Sequence, residues 1–265
     1  MSEVILETKG LCAGYKDHPV IENINLSFEK GKIYSIIGPN GCGKTTLMRA
    51  ISRNRKPSSG QVLLHGENIF QMNTKRVARH IAMLSQHNVT PGDITVRALV
   101  SYGRYAHKDW WRGQTGEDQS TVDWALSRTG MTDYSNRKIN ALSGGELQRA
   151  WIAMSIAQKP EILLLDEPTT YLDISHQLEI MELISKLNRE ENITIIMVLH
   201  DINHAARYSD ELVVIHESHV YRQGDPWSLL RSNVLRDVFR VEADITADHE
   251  NGTPIFYARK VVGQQ

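Results

Sequence analysis

The segment that most constrains this chain is residues 38–45, which read Gly-Pro-Asn-Gly-Cys-Gly-Lys-Thr. It fits the pattern G-x-x-x-x-G-K-[ST], follows the β-branched run 33–37 and precedes the helix-like residues 45–53. Glycines let backbone N–H groups surround a phosphate chain, and the helix N-terminus favours an anion. A glycine-rich turn without a ligand would not need strand, motif and helix in this order. We therefore expect a nucleotide site in which Lys44 reaches the phosphates and the Thr45 hydroxyl binds Mg²⁺.

Composition excludes several classes of protein. The chain has 265 residues, with 30 Lys and Arg against 31 Asp and Glu. That balance opposes a dedicated nucleic-acid binder, so no nucleic-acid partner is expected. Two cysteines, Cys12 and Cys42, are too few for a secreted disulfide framework. Cys42 could be a reactive thiol at a helix N-terminus, but we favour a small side chain tolerated where only the backbone matters.

The pattern of apolar runs predicts an α/β fold. Short β-branched runs at 33–37, 162–165, 193–199 and 212–215 are typical of strands buried on both faces, and helical patterns lie between them. The runs 4–6, 24–28 and 62–64 predict a separate antiparallel β layer. Residues 90–157 hold almost no β-like runs and are predicted to be helical. After residue 210 we expect a hairpin and then a helix over 226–238.

Two acids follow the buried run 162–165. Ligands bind at the carboxyl ends of the strands in α/β sheets, where the Lys44 loop is also expected. Asp166 would hold Mg²⁺, usually through water, and Glu167 would polarise the water that attacks the γ-phosphate. A solvated acidic turn is the alternative, and four preceding apolar residues oppose it.

The motifs together resemble those of the ATP-binding-cassette (ABC) ATPases over almost the whole chain. Residues 142–149, Leu-Ser-Gly-Gly-Glu-Leu-Gln-Arg, resemble the family's LSGGQ-type signature, with Glu146 where Gln is commoner. Tyr15 matches the aromatic residue that stacks on adenine, Gln86 the Q-loop residue, Leu172-Asp173 the D-loop and His200 the switch histidine. The motifs occur in the family's order, which makes a chance resemblance negligible.

The resemblance implies a P-loop NTPase fold of the ABC ATPase type. It would be one domain, 1–265, with a catalytic core of about 1–89 and 158–265 and a helical subdomain of about 90–157. Catalytic roles fall to Glu167, His200 and Gln86, and Mg²⁺ would be held by Thr45, Gln86 and Asp166. The residues expected to bind ATP are Tyr15, Gly38, Pro39, Asn40, Gly41, Cys42, Gly43, Lys44, Thr45 and Thr46, with Ser143, Gly144, Gly145 and Glu146 contributed in trans. The family forms head-to-tail dimers that sandwich two ATPs.

Three functions compete within that family. A DNA-maintenance ATPase needs a long coiled coil, for which the interval from Lys44 to Ser143 is too short, and a translation or assembly factor usually carries two cassettes. We therefore favour the ATPase subunit of a membrane importer, with a soluble non-transport ATPase as the alternative. Residues 92–96, 102–105, 169–177 and 252–254 resemble importers of iron–siderophore, haem and cobalamin complexes.

That resemblance implies two transmembrane permease subunits as partners and, indirectly, a substrate-binding protein. The chain itself has no apolar run long enough to span a bilayer. It would lie peripherally on the cytoplasmic face of the inner membrane. Tyr102, Tyr105, Trp110 and Trp111 crowd the stretch expected to face the permease, although they could be core residues. The cluster Arg49, Arg53, Arg55 and Lys56 is interpreted as a solvated helix end rather than an anion-binding patch.

Overall fold

The computed structural model describes residues 3–15, 18–86, 88, 92–107 and 115–263. Trp110 and Trp111 lie outside the described residues. The strands are β1 (Val4–Tyr15), β2 (His18–Glu29), β3 (Ile33–Ile37), β4 (Ser59–Leu64), β5 (Glu67–Asn68), β6 (Ile81–Leu84), β7 (Ile162–Asp166), β8 (Thr194–Val198), β9 (Glu211–His216), β10 (His219–Gly224), β11 (Val241–Ala247) and β12 (Pro254–Val261).

The helices are α1 (Lys44–Ile51), α2 (Thr74–His80), α3 (Val96–Tyr102), α4 (Gly116–Arg128), α5 (Gly144–Ala157), α6 (Ile174–Glu191), α7 (Ile202–Tyr208), α8 (Pro226–Leu229) and α9 (Ser232–Phe239). Short 3₁₀ helices occur at Gly103–Ala106, Thr132–Tyr134 and Ile139–Ala141. In the described part of the chain, no helix combines the length and the apolar composition needed to cross a bilayer.

The chain divides into two compact units, residues 1–70 with 196–265, and residues 71–195. The first unit contains the expected antiparallel layer, with strand order β2-β1-β4-β5. Its register pairs Leu6 with Phe28 on one side and with Leu64 on the other, and all three side chains are buried. Alternation of apolar and polar residues gives this sheet one buried face.

The first unit also contains strands that are buried throughout. β3 pairs in parallel with β9, placing Ile37 opposite Val214, and β9 pairs antiparallel with β10. Beside β3 run residues 196–198 of β8, and the N–H of Leu199 donates to the carbonyl of Ile36 (3.3 Å). Every residue of β3 is buried, as its short and largely apolar sequence predicts.

The tail differs from the expected single helix over 226–238. Leu230 ends α8 with ψ 79°, Arg231 is extended, and α9 starts afresh at Ser232. Residues 241–261 then form the antiparallel hairpin β11–β12, which the sequence analysis missed. The Trp227 indole N–H donates to the carbonyl of Gly252 (2.8 Å) and so ties α8 to the hairpin turn.

The second unit combines the parallel pair β6–β7 with helices. As expected, residues 96–106 and 116–157 are helical apart from short connections, and α5 packs against α3, α4 and α6. Arg104 and Asp118 form an ion pair (2.9 Å) whose side chains are only 5% and 7% exposed, and Arg104 also donates to the carbonyl of Ala157 (2.9 Å). This buried pair fixes the 3₁₀ helix to α4 and α5. The division into a core and a 90–157 subdomain stays a prediction.

Candidate nucleotide site

The phosphate loop, residues 38–45, connects the end of β3 to the start of α1 in the first unit. Its glycines are sterically required at two positions. A Cβ on Gly38 would lie 2.2 Å from the carbonyl oxygen of Ile215, and one on Gly43 (φ 108°) would lie 2.4 Å from Cγ2 of Ile21. Only glycine allows the loop to pass this close to its neighbours. Gly41 has space around it, so its φ of 79° alone favours glycine there.

The Lys44 side chain folds back onto the start of this loop. The side chain is almost fully buried, and Nζ donates to the carbonyl oxygens of Gly38 (2.8 Å) and Pro39 (2.9 Å). At the start of α1, the N-cap Gly43 offers no side-chain hydrogen bond and the first turn contains no acidic residue. A buried cation and a helix N-terminus without a carboxylate favour a bound anion.

Cys42 lies within the loop but shows no sign of reactivity. The residue is buried, and burial raises the pKa of its thiol despite the opposing effect of Lys44. A thiol that stays protonated is a poor nucleophile. This agrees with the interpretation of Cys42 as a small packing residue.

Tyr15 ends β1 with 43% of its surface exposed. Arg49 Nη1 donates to its hydroxyl (2.8 Å), and the Arg55 guanidinium carbon lies 3.7 Å from the ring centroid. Arg55 also donates to the carbonyl of Gly14. These two arginines therefore both contact Tyr15, while Arg49 is also exposed, as expected for a solvated helix end.

His200 lies two residues after the end of β8, in the first unit. The hydrogen bond from Leu199 to Ile36 places the end of β8 beside the end of β3, just before the phosphate loop. His200 is exposed, and the following Asp201 caps α7 by accepting from the N–H of His204 (2.9 Å). The sequence-predicted His200 is thus at the same sheet edge as the loop.

Gln86 and the acid pair meet at one edge of the second unit. Leu84 of β6 lies opposite Leu165 of β7, so the residues two positions beyond each are also neighbours. Gln86 Nε2 donates to Glu167 Oε2, and Thr170 Oγ1 donates to the same oxygen (3.1 Å). Two donors on one oxygen fix the orientation of the Glu167 carboxylate.

The backbone at the acid pair is also unusual. Glu167 has φ 55°, a left-handed conformation that is costly for a non-glycine residue and clusters at functional sites. Asp166, the last residue of β7, is only 4% exposed. The tight turn therefore directs two adjacent carboxylates into different environments, which suits the different roles expected for them.

The signature segment, residues 142–149, begins α5 with a complete capping box. Ser143 Oγ accepts from the N–H of Glu146 (3.3 Å), and the Glu146 carboxylate accepts from the N–H of Ser143 (2.8 Å). This backbone hydrogen bond is the main reason that the pKa of Glu146 is lowered. Glutamate can therefore replace the commoner glutamine, because only an acceptor is needed in this contact.

His176 is a neighbour of the signature whose role the sequence analysis missed. Asp173 caps α6 by accepting from the His176 N–H (2.9 Å), and the same oxygen lies 2.7 Å from Nδ1 of that imidazole. The ring lies against Gly145. The only sequence signal was an acid three residues before a histidine at a helix start. Gln148 adds a link, since Nε2 donates to the carbonyl of Pro168 (2.8 Å).

The phosphate loop, the acid pair at a strand end and the capped signature helix define a P-loop nucleoside triphosphatase. Comparison with known proteins makes this assignment specific: the ABC transporter family profile matches residues 21–170, and the chain belongs to this family. The fold class predicted from the sequence, α/β with an antiparallel layer and a helical region, is confirmed. The predicted ATPase activity of the protein is confirmed as well.

Two curated relatives extend over nearly the whole chain. The iron(3+)-hydroxamate import ATP-binding protein FhuC of Bacillus subtilis (strain 168) is 45% identical over 250 residues, 94% of this chain and 93% of the relative. The ferric enterobactin transport ATP-binding protein FepC of Escherichia coli (strain K12) is 43% identical over 257 residues, 96% and 95% of the two chains. The dimeric cassette MJ0796, solved with ADP and phosphate, is 28% identical with a TM-score of 0.72, covering 83% of this chain and 98% of that one.

Proposed function

We propose that this chain is the ATP-hydrolysing subunit of an importer of iron–siderophore complexes. The observation that carries the proposal is the extent of the similarity to the two curated relatives, whose names specify iron(3+)-hydroxamate import and ferric enterobactin transport. Both similarities run through almost all of this chain rather than through the nucleotide motifs alone. The cargo need not touch the ATPase, so relatedness of the complete chain is the relevant support.

ATP would bind with its phosphates in the phosphate loop. Lys44 would exchange its two carbonyl acceptors for β- and γ-phosphate oxygens, which are stronger acceptors for an ammonium group. Backbone N–H groups of residues 41–46 would donate to the phosphates, and Tyr15 would stack on adenine. The burial of Lys44 and the open N-terminus of α1 support these roles.

Mg²⁺ is the cation that suits the expected ligands. Thr45 offers a hydroxyl, Gln86 an amide oxygen and Asp166 a buried carboxylate, all of them hard oxygen donors of the type that Mg²⁺ prefers. When bound with ATP, the ion would neutralise phosphate charge. Asp166 would hold the ion through water, Thr45 would contribute its hydroxyl, and Gln86 would contribute its carbonyl oxygen while its Nε2 donates to Glu167.

Glu167 would orient the water that attacks the γ-phosphate and accept its proton. The donors Gln86 and Thr170 hold one oxygen of this carboxylate in place, which supports its role in orienting the water. His200 would donate to the γ-phosphate, and its exposed position at the sheet edge next to the phosphate loop supports that role. Attack by water breaks the bond between the β–γ bridging oxygen and the γ-phosphorus, giving ADP and phosphate.

Two copies would work as a head-to-tail dimer with two ATPs. Each signature, presented by Ser143, Gly144, Gly145 and Glu146 at the start of α5, would face the phosphate loop of the partner. Ser143 and Glu146 cap the N-terminus of α5, and the N–H groups of Gly144 and Gly145 would donate to an incoming γ-phosphate. The dimeric state of the related cassette MJ0796 supports the formation of a dimer.

The dimer would act peripherally, on the cytoplasmic face of the membrane, under two permease subunits served by a substrate-binding protein. Tyr102 and Tyr105 are 40% and 64% exposed, with ring centroids 5.8 Å apart. The buried Arg104 between them anchors this segment. Exposed aromatic residues on a rigid support are suited to a protein interface, so we assign them to permease contact.

Deletion of the gene in its source organism tests the proposed cargo. Uptake of a radiolabelled ferric hydroxamate and of ferric enterobactin is measured beside haem and cobalamin, with complementation by the parent gene or by Glu167→Gln. We expect ferric siderophore uptake to fall and to return only with the parent gene. Parent rates for every iron complex in the deletion strain would contradict the proposal, while the ATPase assignment would stand.

A further inference from the structure

The phenol ring of Tyr15 is held by two arginines from the segment after the phosphate loop. Arg55 places its guanidinium 3.7 Å from the ring centroid, and Arg49 donates to the phenol oxygen (2.8 Å). Their own positions are fixed as well, because the N–H of Arg55 donates to the carbonyl of Arg49 (2.9 Å) and the Arg55 side chain donates to the carbonyl of Gly14. The ring is thus fixed at its hydroxyl and on one face.

Much of Tyr15 remains accessible. The residue is 43% exposed although Arg55 covers one face of its ring. A planar guanidinium can stack on an aromatic ring and attract its electrons, whereas a lysine ammonium is a strongly hydrated point charge. The pair Arg55–Tyr15 therefore presents one flat, oriented π surface at the end of β1.

We infer that Arg55 and Arg49 are positioning residues for the adenine of ATP: they hold Tyr15 so that the base stacks on its free face. This inference rests on the proposed nucleotide site and adds the residues that build its base-binding surface. Neither arginine would contact phosphate. Their contribution would therefore appear in nucleotide affinity through the base and would be absent for a ligand that has phosphates only.

The test compares ATP with inorganic tripolyphosphate by isothermal titration calorimetry. Tyr15→Ala should weaken ATP binding about fivefold or more, the size of a lost base–aromatic stack. Arg55→Ala should weaken ATP binding about two- to fivefold, the size of a partly exposed cation–π contact. Arg55→Lys should behave like Arg55→Ala, since the planar stack is lost. Tripolyphosphate affinity should stay at the parent value in all three.

Lys56→Ala is the matched control, because it removes the same charge from the next residue, which is exposed. It should leave both affinities unchanged. In the double variant Tyr15→Ala/Arg55→Ala, ATP should bind no more weakly than in Tyr15→Ala alone, because Arg55 acts through the ring. A purely structural defect in Arg55→Ala would add to the Tyr15 effect and would lower tripolyphosphate affinity too.

Three results would overturn the inference. Tighter ATP binding by Arg55→Ala would mean that Arg55 occupies the face used by adenine. An equal loss for tripolyphosphate would mean that Arg55 acts on the phosphates by charge, and additivity with Tyr15→Ala would mean that it acts elsewhere. Failure of the nucleotide site itself is recognised separately, by Lys44→Ala leaving tripolyphosphate and ATP affinities unchanged.

Discussion

The imidazole of His176 lies against Gly145 so closely that a Cβ on the glycine would stand 2.3 Å from the ring carbon Cδ2. The same imidazole is held by Asp173 through Nδ1 (2.7 Å). Leu172 adds a second contact, since its Cδ2 would lie 3.5 Å from a Cβ on Gly144. The D-loop residues 172–173 and the glycines of the signature therefore form one packed cluster within the second unit.

This contact predicts that Gly145→Ala lowers the free energy of unfolding of the parent but raises that of the His176→Ala variant. In the parent, the methyl group would displace His176 and destabilise the fold by about 1–3 kcal/mol, the usual cost of overpacking. In the His176→Ala background the clash is gone, and the higher helix propensity of alanine should stabilise α5 by up to about 1 kcal/mol. Urea unfolding of the parent, the two single variants and the double variant measures both values. Equal effects of Gly145→Ala in the two backgrounds would contradict the contact.

Lys44→Ala should lose most ATP affinity, by about tenfold or more, because it removes a charge-assisted donor to phosphate. Calorimetric titration with ATP measures the loss, and Lys56→Ala, at an exposed lysine outside the loop, is the control. Parent affinity in Lys44→Ala would refute the assignment of the phosphate loop.

Glu167→Gln should separate binding from chemistry. Glutamine keeps the shape and an acceptor oxygen for Gln86 and Thr170 but cannot take a proton, so hydrolysis should fall about 100-fold or more while ATP still binds. The ATP-bound dimer should then accumulate on gel filtration. Thr170→Val, which removes one donor but leaves the carboxylate, should reduce the rate far less. Hydrolysis at the parent rate in Glu167→Gln would mean that another residue is the general base, with His200 as the leading candidate.

Mixing two inactive chains tests the head-to-tail arrangement. Ser143→Arg puts a bulky charged side chain where the signature would meet the partner's γ-phosphate, and Lys44→Ala disables the phosphate loop. Each homodimer has two defective sites, whereas the mixed dimer has one intact site formed by the unaltered loop and the unaltered signature. ATP-induced association and residual hydrolysis should therefore appear only in the mixture. If neither association nor hydrolysis appeared in the mixture, the result would contradict the proposal that each signature completes the ATP site of the partner.

The buried pair Arg104–Asp118 predicts a pH-dependent stability. Burial opposes ionisation of Asp118, but hydrogen bonds from Arg104 and Thr115 outweigh it, so its pKa lies below 3.8. A carboxyl group whose pKa is lower in the folded state stabilises the protein at pH values above its unfolded-state pKa. That stabilisation is lost as the pH falls below about 4 and through the folded-state pKa. Asp118→Asn should cost about 3–5 kcal/mol near neutral pH, because Arg104 would remain buried without its counter-charge.

The difference between parent and Asp118→Asn should shrink as pH is lowered through that window, as followed by urea unfolding at several pH values. Asp123→Asn on the same helix is the control, since its ion pair with Arg97 (2.7 Å) is exposed. Asp123→Asn should lower the free energy of unfolding by less than about 1 kcal/mol. A pH-independent difference for Asp118→Asn would mean that the ion pair does not contribute as inferred.

The sequence alone predicted a set of candidate nucleotide-binding residues because each motif is contiguous and its chemistry is local. Residues 38–45 specify a loop that only glycines can form, and the apolar run before Asp166 specifies a buried strand with acids at its end. The burial of β3, β7 and β8 followed from composition alone. The hairpin β11–β12 was missed although residues 241–247 alternate between apolar and polar side chains, because the run contains few large apolar residues and none of its residues is buried.

Only the tertiary structure brought Arg55 to Tyr15 and His176 to Gly145, pairs that are 40 and 31 positions apart in the chain. No local pattern encodes these contacts, because an arginine after a helix is usually solvated and a histidine in a first turn usually points to water. Their positions depend on how β1 meets the segment after α1 and how α5 meets α6. Packing of whole elements decides such contacts, whereas sequence decides which side chains are available to make them.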